Sequence, residues 1–163
     1  MTTHIDTRGS IIRAIARADL PALKAVIASS DLFPPEMLDD MTAGFLGEEE
    51  TTDCWLTLDD GEPAALAYVA PERMTSGTWN LHLIAVRANR QGRGYGALLL
   101  SHIERDLASR GERVLLVETS GLPTFERTRT FYERCGYVRE ARIRDFYQAG
   151  EDKIVFWKAL DRP

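Results

Sequence analysis

LIAVRANRQGRGYGALLL, residues 83–100, leaves an apolar run, crosses a loop with three glycines and three arginines between positions 87 and 96, and enters a leucine run. Glycine puts no Cβ between a ligand and the backbone, and the amides that open a helix carry the positive end of its dipole. A strand, then Gln91-Gly92-Arg93-Gly94-Tyr95-Gly96, then a helix therefore makes a phosphate cradle. The competing reading is a glycine-rich turn whose arginines only meet water.

Outward from this loop the pattern alternates between helical and extended periods. TWNLHLIAV (78–86) is a strand, and GALLLSHIERDLASRG is a helix closed by Gly111, with Leu98, Leu99, Ile103 and Leu107 as its core stripe. RVLLVETS reads as a buried strand and TFERTRTFYERCG as a helix ending before Gly136. YVREARIRDFY and DKIVFWKAL, joined by QAGE, make a closing hairpin, and CWLTLDDGEPAALAYVA makes an earlier one of alternating strands turned at Gly61. Upstream, Asp19 caps a helix carrying Pro21, Leu20, Leu23 and Ile27. A second helix follows Pro34 and Pro35 with Met37, Leu38, Met41 and Phe45 on one side.

Residues 1–10 are polar and read as a flexible tail, with a strand beginning near Ile11. The order is then α, α, β, β, β, α, β, α, β, β in one domain, 1–163, which predicts an α/β fold: a single mixed, mostly antiparallel sheet flanked by helices.

Two other phosphate loops fail on context. A Walker A loop needs Gly-Lys-Ser/Thr, which is absent. Gly92, Gly94 and Ala97 satisfy the dinucleotide fingerprint, with Glu118 near the place of its ribose-binding acid. Five residues, Arg87 to Gln91, nevertheless separate the strand from the first glycine, and only 45 residues follow Glu118, ending in an antiparallel hairpin. That is too little chain for the remaining parallel strands.

The series LIAVRANRQGRGYGALLL, VLLVETS, TRTFYERCGY resembles the GNAT superfamily of acyl-CoA-dependent N-acetyltransferases in order and spacing. The resemblance covers residues 78–137 best and implies a single N-acetyltransferase domain with a splayed parallel strand pair, 78–86 and 113–120. Acetyl-CoA is the implied co-substrate. Its pantetheine arm would pair with Ile84, Ala85 and Val86, and Gln91, Gly92, Arg93, Gly94, Tyr95, Gly96 and Ala97 would hold its diphosphate. Thr128 and Phe131 would line it from the last helix.

Tyr132 matches the family's general acid, which protonates the departing thiolate; the alternative is an aromatic packed with Phe125 and Phe131. The Val86 N–H would face the acetyl carbonyl. Arg129 and Arg134 would reach coenzyme A phosphates or merely form a solvated face.

Direct attack requires a neutral amine, and a lysine-like amine has a pKa near ~10.4, so a base must take a proton. Glu118 is the first candidate; otherwise it orients a cation or holds a salt bridge. His82 either positions a relay water or is a buried, satisfied histidine. Asn80 stands where histone-acetylating members place a glutamate. Phe33, Asn80, Glu118 and Tyr147 are the expected acceptor-site residues, with Tyr68 nearby, and Asp39, Asp40 and Asp145 add negative charge suited to a cationic acceptor.

Bulk properties agree with a small-molecule amine as partner. The net charge of −5 disfavours nucleic acid. The longest apolar stretch, around 64–70, is far short of the ~20 residues that span a bilayer, so no membrane is expected. Cys54 and Cys135 are the only cysteines, which points to a cytoplasmic protein without disulfides. His4, His82 and His102 lack ligand spacing, so no metal is expected. A homodimer through an edge strand containing Val155, Phe156 and Trp157 is the expected assembly. A catalytically silent acyl-CoA sensor is the alternative function.

Overall fold

The chain reverses at DDGE because Gly61 takes a φ of 118°, a conformation that costs a residue with a Cβ far more. A computed structural model describes residues 4–5, 9–47 and 49–161. Their contacts gather into two compact units, Met1–Ala70 with Leu83–Asp106 and Pro71–His82 with Leu107–Pro163.

In the first unit, antiparallel pairing joins β1 (His4–Ile5) to β2 (Ile11–Ala14), β2 to β3 (Cys54–Asp59), and β3 to β4 (Pro63–Pro71). The strand expected near Ile11 is there. The tail expected over 1–10 includes His4 and Ile5, which lie in β1; residues 1–3 and 6–8 are outside the described residues. The β3–β4 hairpin does not alternate as expected. Residues 54–58 and 63–67 are buried on both faces, and Thr57 is accommodated because its hydroxyl donates to the Ala65 carbonyl at 2.7 Å.

Leu23, Val26 and Ile27 of α1 (Leu20–Ser30) are fully buried. They pack with Ile15, Leu38, Trp55, Leu66, Leu83 and Ala85 in one apolar cluster. The stripe expected on α2 (Met37–Leu46) is rotated: Leu38 and Thr42 are buried, whereas Met37 and Met41 are exposed. Thr42 reads as polar but turns its hydroxyl back onto the Leu38 carbonyl at 2.8 Å, which leaves its methyl to pack.

Asp19 does not cap α1 through its side chain. Its carboxylate accepts Arg13 at 2.7 and 2.9 Å and the Ala16 amide at 2.7 Å. The Arg13 hydrogen bonds, against the cost of burial, hold its carboxyl below the usual range. A carboxyl depressed on folding adds stability that is present above its unfolded pKa, ~3.9, and is lost as pH falls through the lower folded value. Urea midpoints measured from pH 6 to 2 are therefore expected to fall below about pH 4, and Asp19→Asn to flatten that part of the decline.

In the second unit, the first part of β5 (Thr78–Val86) runs parallel to β6 (Val114–Ser120), while β6 pairs antiparallel with β8 (Glu151–Ala159) and β8 with β7 (Val138–Gln148). Strands follow the order β1-β2-β3-β4 in the first unit and β6-β8-β7 in the second. The expected mixed sheet with one parallel pair is what forms. The helices α3 (Tyr95–Ser109) and α4 (Glu126–Arg134) complete the order. The strand containing Val155, Phe156 and Trp157 is not the edge, since β8 is flanked on both sides and β7 takes the outer position.

Candidate active site

The parallel ladder extends from Thr78↔Val114 to Leu81↔Val117 and stops there among the described residues, although β5 continues to Val86 and β6 to Ser120. Backbone amides alternate sides along a strand. The Arg87 amide donates to Ala64 of β4 at 2.9 Å, so the amides of Val86 and Ile84 point away from β4.

Beyond Val86 the loop Arg87–Gly94 is fastened at its base and open at its crest. Arg87 ion-pairs with Glu62 at 2.7 Å, and the Ala88 amide donates to Ser29 Oγ at 3.0 Å. Arg90 pairs with Asp60 at 2.9 Å and with Glu62 at 3.3 Å. Gly92 and Gly94 take φ values of 79° and 82°, and a Cβ built at either would meet nothing within 4 Å.

Gln91, Gly92, Arg93 and Gly94 are exposed, as is Ala97, while Gly96 is half-buried. The first bond of α3 is from the Leu98 amide to the Gly94 carbonyl at 3.0 Å, so the Tyr95, Gly96 and Ala97 amides precede any helical acceptor. The Tyr95 side chain is buried and donates its hydroxyl to Asp60 Oδ2 at 2.8 Å, which leaves the Tyr95 backbone amide at the start of the helix.

Two of the three loop arginines are thus committed to carboxylates of the β3–β4 turn. The sequence reading missed Asp60 and Glu62, which sit in a DDGE stretch that also satisfies a turn. The only available signal was the match of two acids there with Arg87 and Arg90.

In the second unit, Tyr132 is 4% exposed. Its ring lies 5.5 Å from Phe156, 6.1 Å from Tyr137 and 5.3 Å from Phe131. Burial, with a smaller effect of Cys135, pushes its hydroxyl pKa well above the ordinary tyrosine value, so it holds its proton at neutral pH. Thr128 and Phe131 are half-buried on the same helix. Arg129 is buried and donates to the Ser120 and Leu122 carbonyls at 2.7 and 2.9 Å, fixing the turn that follows β6.

Glu118 accepts an ion pair from Lys153 at 3.1 Å, so the salt-bridge reading of Glu118 is the one its geometry displays. Lys153 is buried, and its ammonium also lies 3.7 Å from the centre of the Phe146 ring. Tyr147 is 46% exposed and stacks edge-on with Phe146 at 5.1 Å. Burial first, then the charges of Glu118 and Glu151, raise the Tyr147 pKa. Nothing in the sequence marks Lys153, because a lysine in DKIVFWKAL reads as an outward strand position.

Other expectations separate. Asn80 is buried; its amide nitrogen donates to Glu72 at 2.8 Å, and its Oδ1 has no hydrogen-bond partner among the described residues. His82 is exposed, which corrects the buried-histidine reading. Phe33 packs against the apolar cluster of the first unit, as does Tyr68. Tyr68 donates to Asp53 at 2.6 Å, and burial with that carboxylate pushes its pKa up to about 12. Asp39 pairs with Lys24 at 2.5 Å, and Asp145 accepts the Gly150 amide at 2.8 Å. No group of three or more His, Cys, Asp or Glu able to hold a metal is found among the described residues, and no helix of theirs is long and apolar enough to cross a membrane.

A glycine cradle opening a helix, reached from a strand whose parallel pairing ends early, is an arrangement that binds an extended diphosphate-bearing arm. Residues 14–137 match the model of the acetyltransferase (GNAT) family, and the chain belongs to that family. A GNAT-family protein from Desulfovibrio desulfuricans is 31% identical, with a TM-score of 0.80 over 93% of this chain and 99% of that one.

The ribosomal-protein-alanine N-acetyltransferase of Escherichia coli is 24% identical, with a TM-score of 0.72 over 94% of this chain and 96% of its own. An aminoglycoside 6′-N-acetyltransferase solved with coenzyme A is 19% identical, with a TM-score of 0.71 over 93% and 98%. The last two bear on the fold alone. No curated protein matches the sequence.

Proposed function

We propose that the chain acts as one cytoplasmic N-acetyltransferase domain that moves an acetyl group from acetyl-CoA to a primary amine of a small molecule, an amino acid or a peptide end, without a metal. The observation that carries the reading is the early end of the β5–β6 ladder, with the Val86 and Ile84 amides turned away from β4. The cradle fits a diphosphate, because nothing within 4 Å occupies the space over Gly92 and Gly94.

Acetyl-CoA supplies an activated thioester and a thiolate leaving group. The amides from Gly92 to Ala97, with Arg93, hold its diphosphate, and Ile84 and Val86, with Ala85 between them facing β4, hold the pantetheine amides as an added strand would. The Val86 N–H stabilises charge that develops on the carbonyl oxygen, a contribution typically worth ~3 kcal/mol.

Glu118 draws in the acceptor's ammonium and takes its proton. Lys153 can yield the carboxylate because the exchange replaces one cation by another and Phe146 remains beside its ammonium. Tyr132 gives its proton to the sulfur as the C–S bond breaks. Tyr147 forms part of the acceptor wall.

The test is a panel of amino acids, aminoglycosides and peptide N-termini with acetyl-CoA, read as free thiol. Thiol release that depends on one amine class is the expected result. Coenzyme A binding with no turnover on any amine would favour a silent sensor, and tight NADH binding in place of coenzyme A would overturn the reading.

A further inference from the structure

We propose that Asp60, in the β3–β4 turn, is a positioning residue that shapes the diphosphate loop, an inference that rests on the coenzyme A reading above. One carboxylate oxygen, Oδ2, accepts both Arg90 Nε at 2.9 Å and the Tyr95 hydroxyl at 2.8 Å. Arg90 is the last residue before the glycine-bearing crest and Tyr95 the first of α3, so a single atom brackets residues 91–94 from both sides. Glu62 adds a second tie by accepting Arg87 and Arg90.

The turn that presents Asp60 is itself braced. Its amide donates to the Glu62 carbonyl at 3.2 Å, and the Gly61 amide donates to Asp59 at 2.9 Å.

The crest needs such a frame. Gly92 and Gly94 have wide conformational freedom, and every residue ordered on ligand binding subtracts from affinity. Fixing the chain at Arg90 and Tyr95 removes much of that loss before the diphosphate arrives. Asp60 also bears a cost that packing does not repay: Oδ1 is buried without a hydrogen-bond partner among the described residues. Burial raises the Asp60 carboxyl pKa, but hydrogen bonds from Tyr95 and Arg90, with the charges of Arg90 and Arg93, more than reverse this and leave it low. The tie therefore stays ionised at neutral pH.

The experiment titrates coenzyme A into wild type, Asp60→Asn and Tyr95→Phe by calorimetry, with Asp19→Asn as a control that removes a buried carboxylate outside the loop. Asp60→Asn is expected to weaken coenzyme A binding about tenfold and to raise KM for acetyl-CoA similarly, with kcat at saturation within about twofold. Tyr95→Phe, which deletes one hydroxyl and keeps the ring, loses less. In the double variant the two losses fail to add, since both remove the same tie.

Asp19→Asn lowers stability and leaves coenzyme A affinity alone. Wild type binding coenzyme A while Asp60→Asn and Tyr95→Phe bind it equally well would overturn the anchor. Wild type failing to bind coenzyme A would instead overturn the acetyltransferase reading. If Asp60→Asn does not fold, unchanged affinity in Tyr95→Phe alone overturns the anchor.

Discussion

A Tyr132→Phe enzyme is expected to lose about 10²- to 10³-fold in kcat while its coenzyme A affinity moves by less than about twofold. Phenylalanine keeps the ring that packs among Phe131, Tyr137 and Phe156, so the fold has little reason to respond. What disappears is a proton. A phenol raised above ~10 is a weaker acid than a thiol near ~8.5. The transfer therefore proceeds only as negative charge builds on sulfur in a site where burial makes that charge costly. The raised phenol also sets the sign of the pH profile. Turnover of the wild type should show no alkaline decline until pH exceeds the ordinary tyrosine value of ~10. Stopped or steady-state thiol release, paired with calorimetry, reads both quantities, and unchanged turnover would remove Tyr132 as the acid.

Gly94→Val should abolish measurable coenzyme A binding, a loss of at least about 10²-fold, and two separate effects contribute. At a φ of 82° a β-branched residue is strained by about 1–2 kcal/mol, which appears as a lower melting temperature. The larger effect needs the ligand. A Cβ there meets nothing in the free protein, so the valine fits until a diphosphate requires the same space. Gly94→Ala separates the two, because it carries most of the strain and less of the bulk. A valine variant that melts early yet binds coenzyme A normally would show that the diphosphate lies elsewhere.

How much of this was legible in the sequence depends on the range of the interaction that decides each feature. The strand at 78–86 matches its sequence bounds exactly in β5, and the turns at Gly61, Gly92 and Gly94 all take positive φ, because periodicity and glycine placement are local signals. Helix α2 was rotated because Thr42 satisfies its own hydroxyl and so competes for the core with Met41.

The side-chain partners were mostly out of reach. Arg90 finds Asp60 across thirty residues of chain, and Glu118 finds Lys153 through the β6–β8 register, in which Ser120 stands opposite Lys153. Arg129 illustrates the limit on charge: in sequence it is one arginine among several on a short helix, and only the carbonyls at the end of β6 make it structural. The order of the last two strands was inverted for a similar reason, since a hairpin pattern does not say which strand faces the sheet.

Among the described residues strand β7 has a paired neighbour on one side only, and all eleven of its residues are exposed. Such a row of amides and carbonyls invites other chains to stack on it. Here two breaks in register, a left-handed Asp145 at φ 51°, and the charges of Arg139, Glu140, Arg142, Arg144 and Asp145 deny a newcomer any regular ladder. Such breaks and charges oppose edge-to-edge pairing, and they are carried by side chains other than those assigned to the reaction.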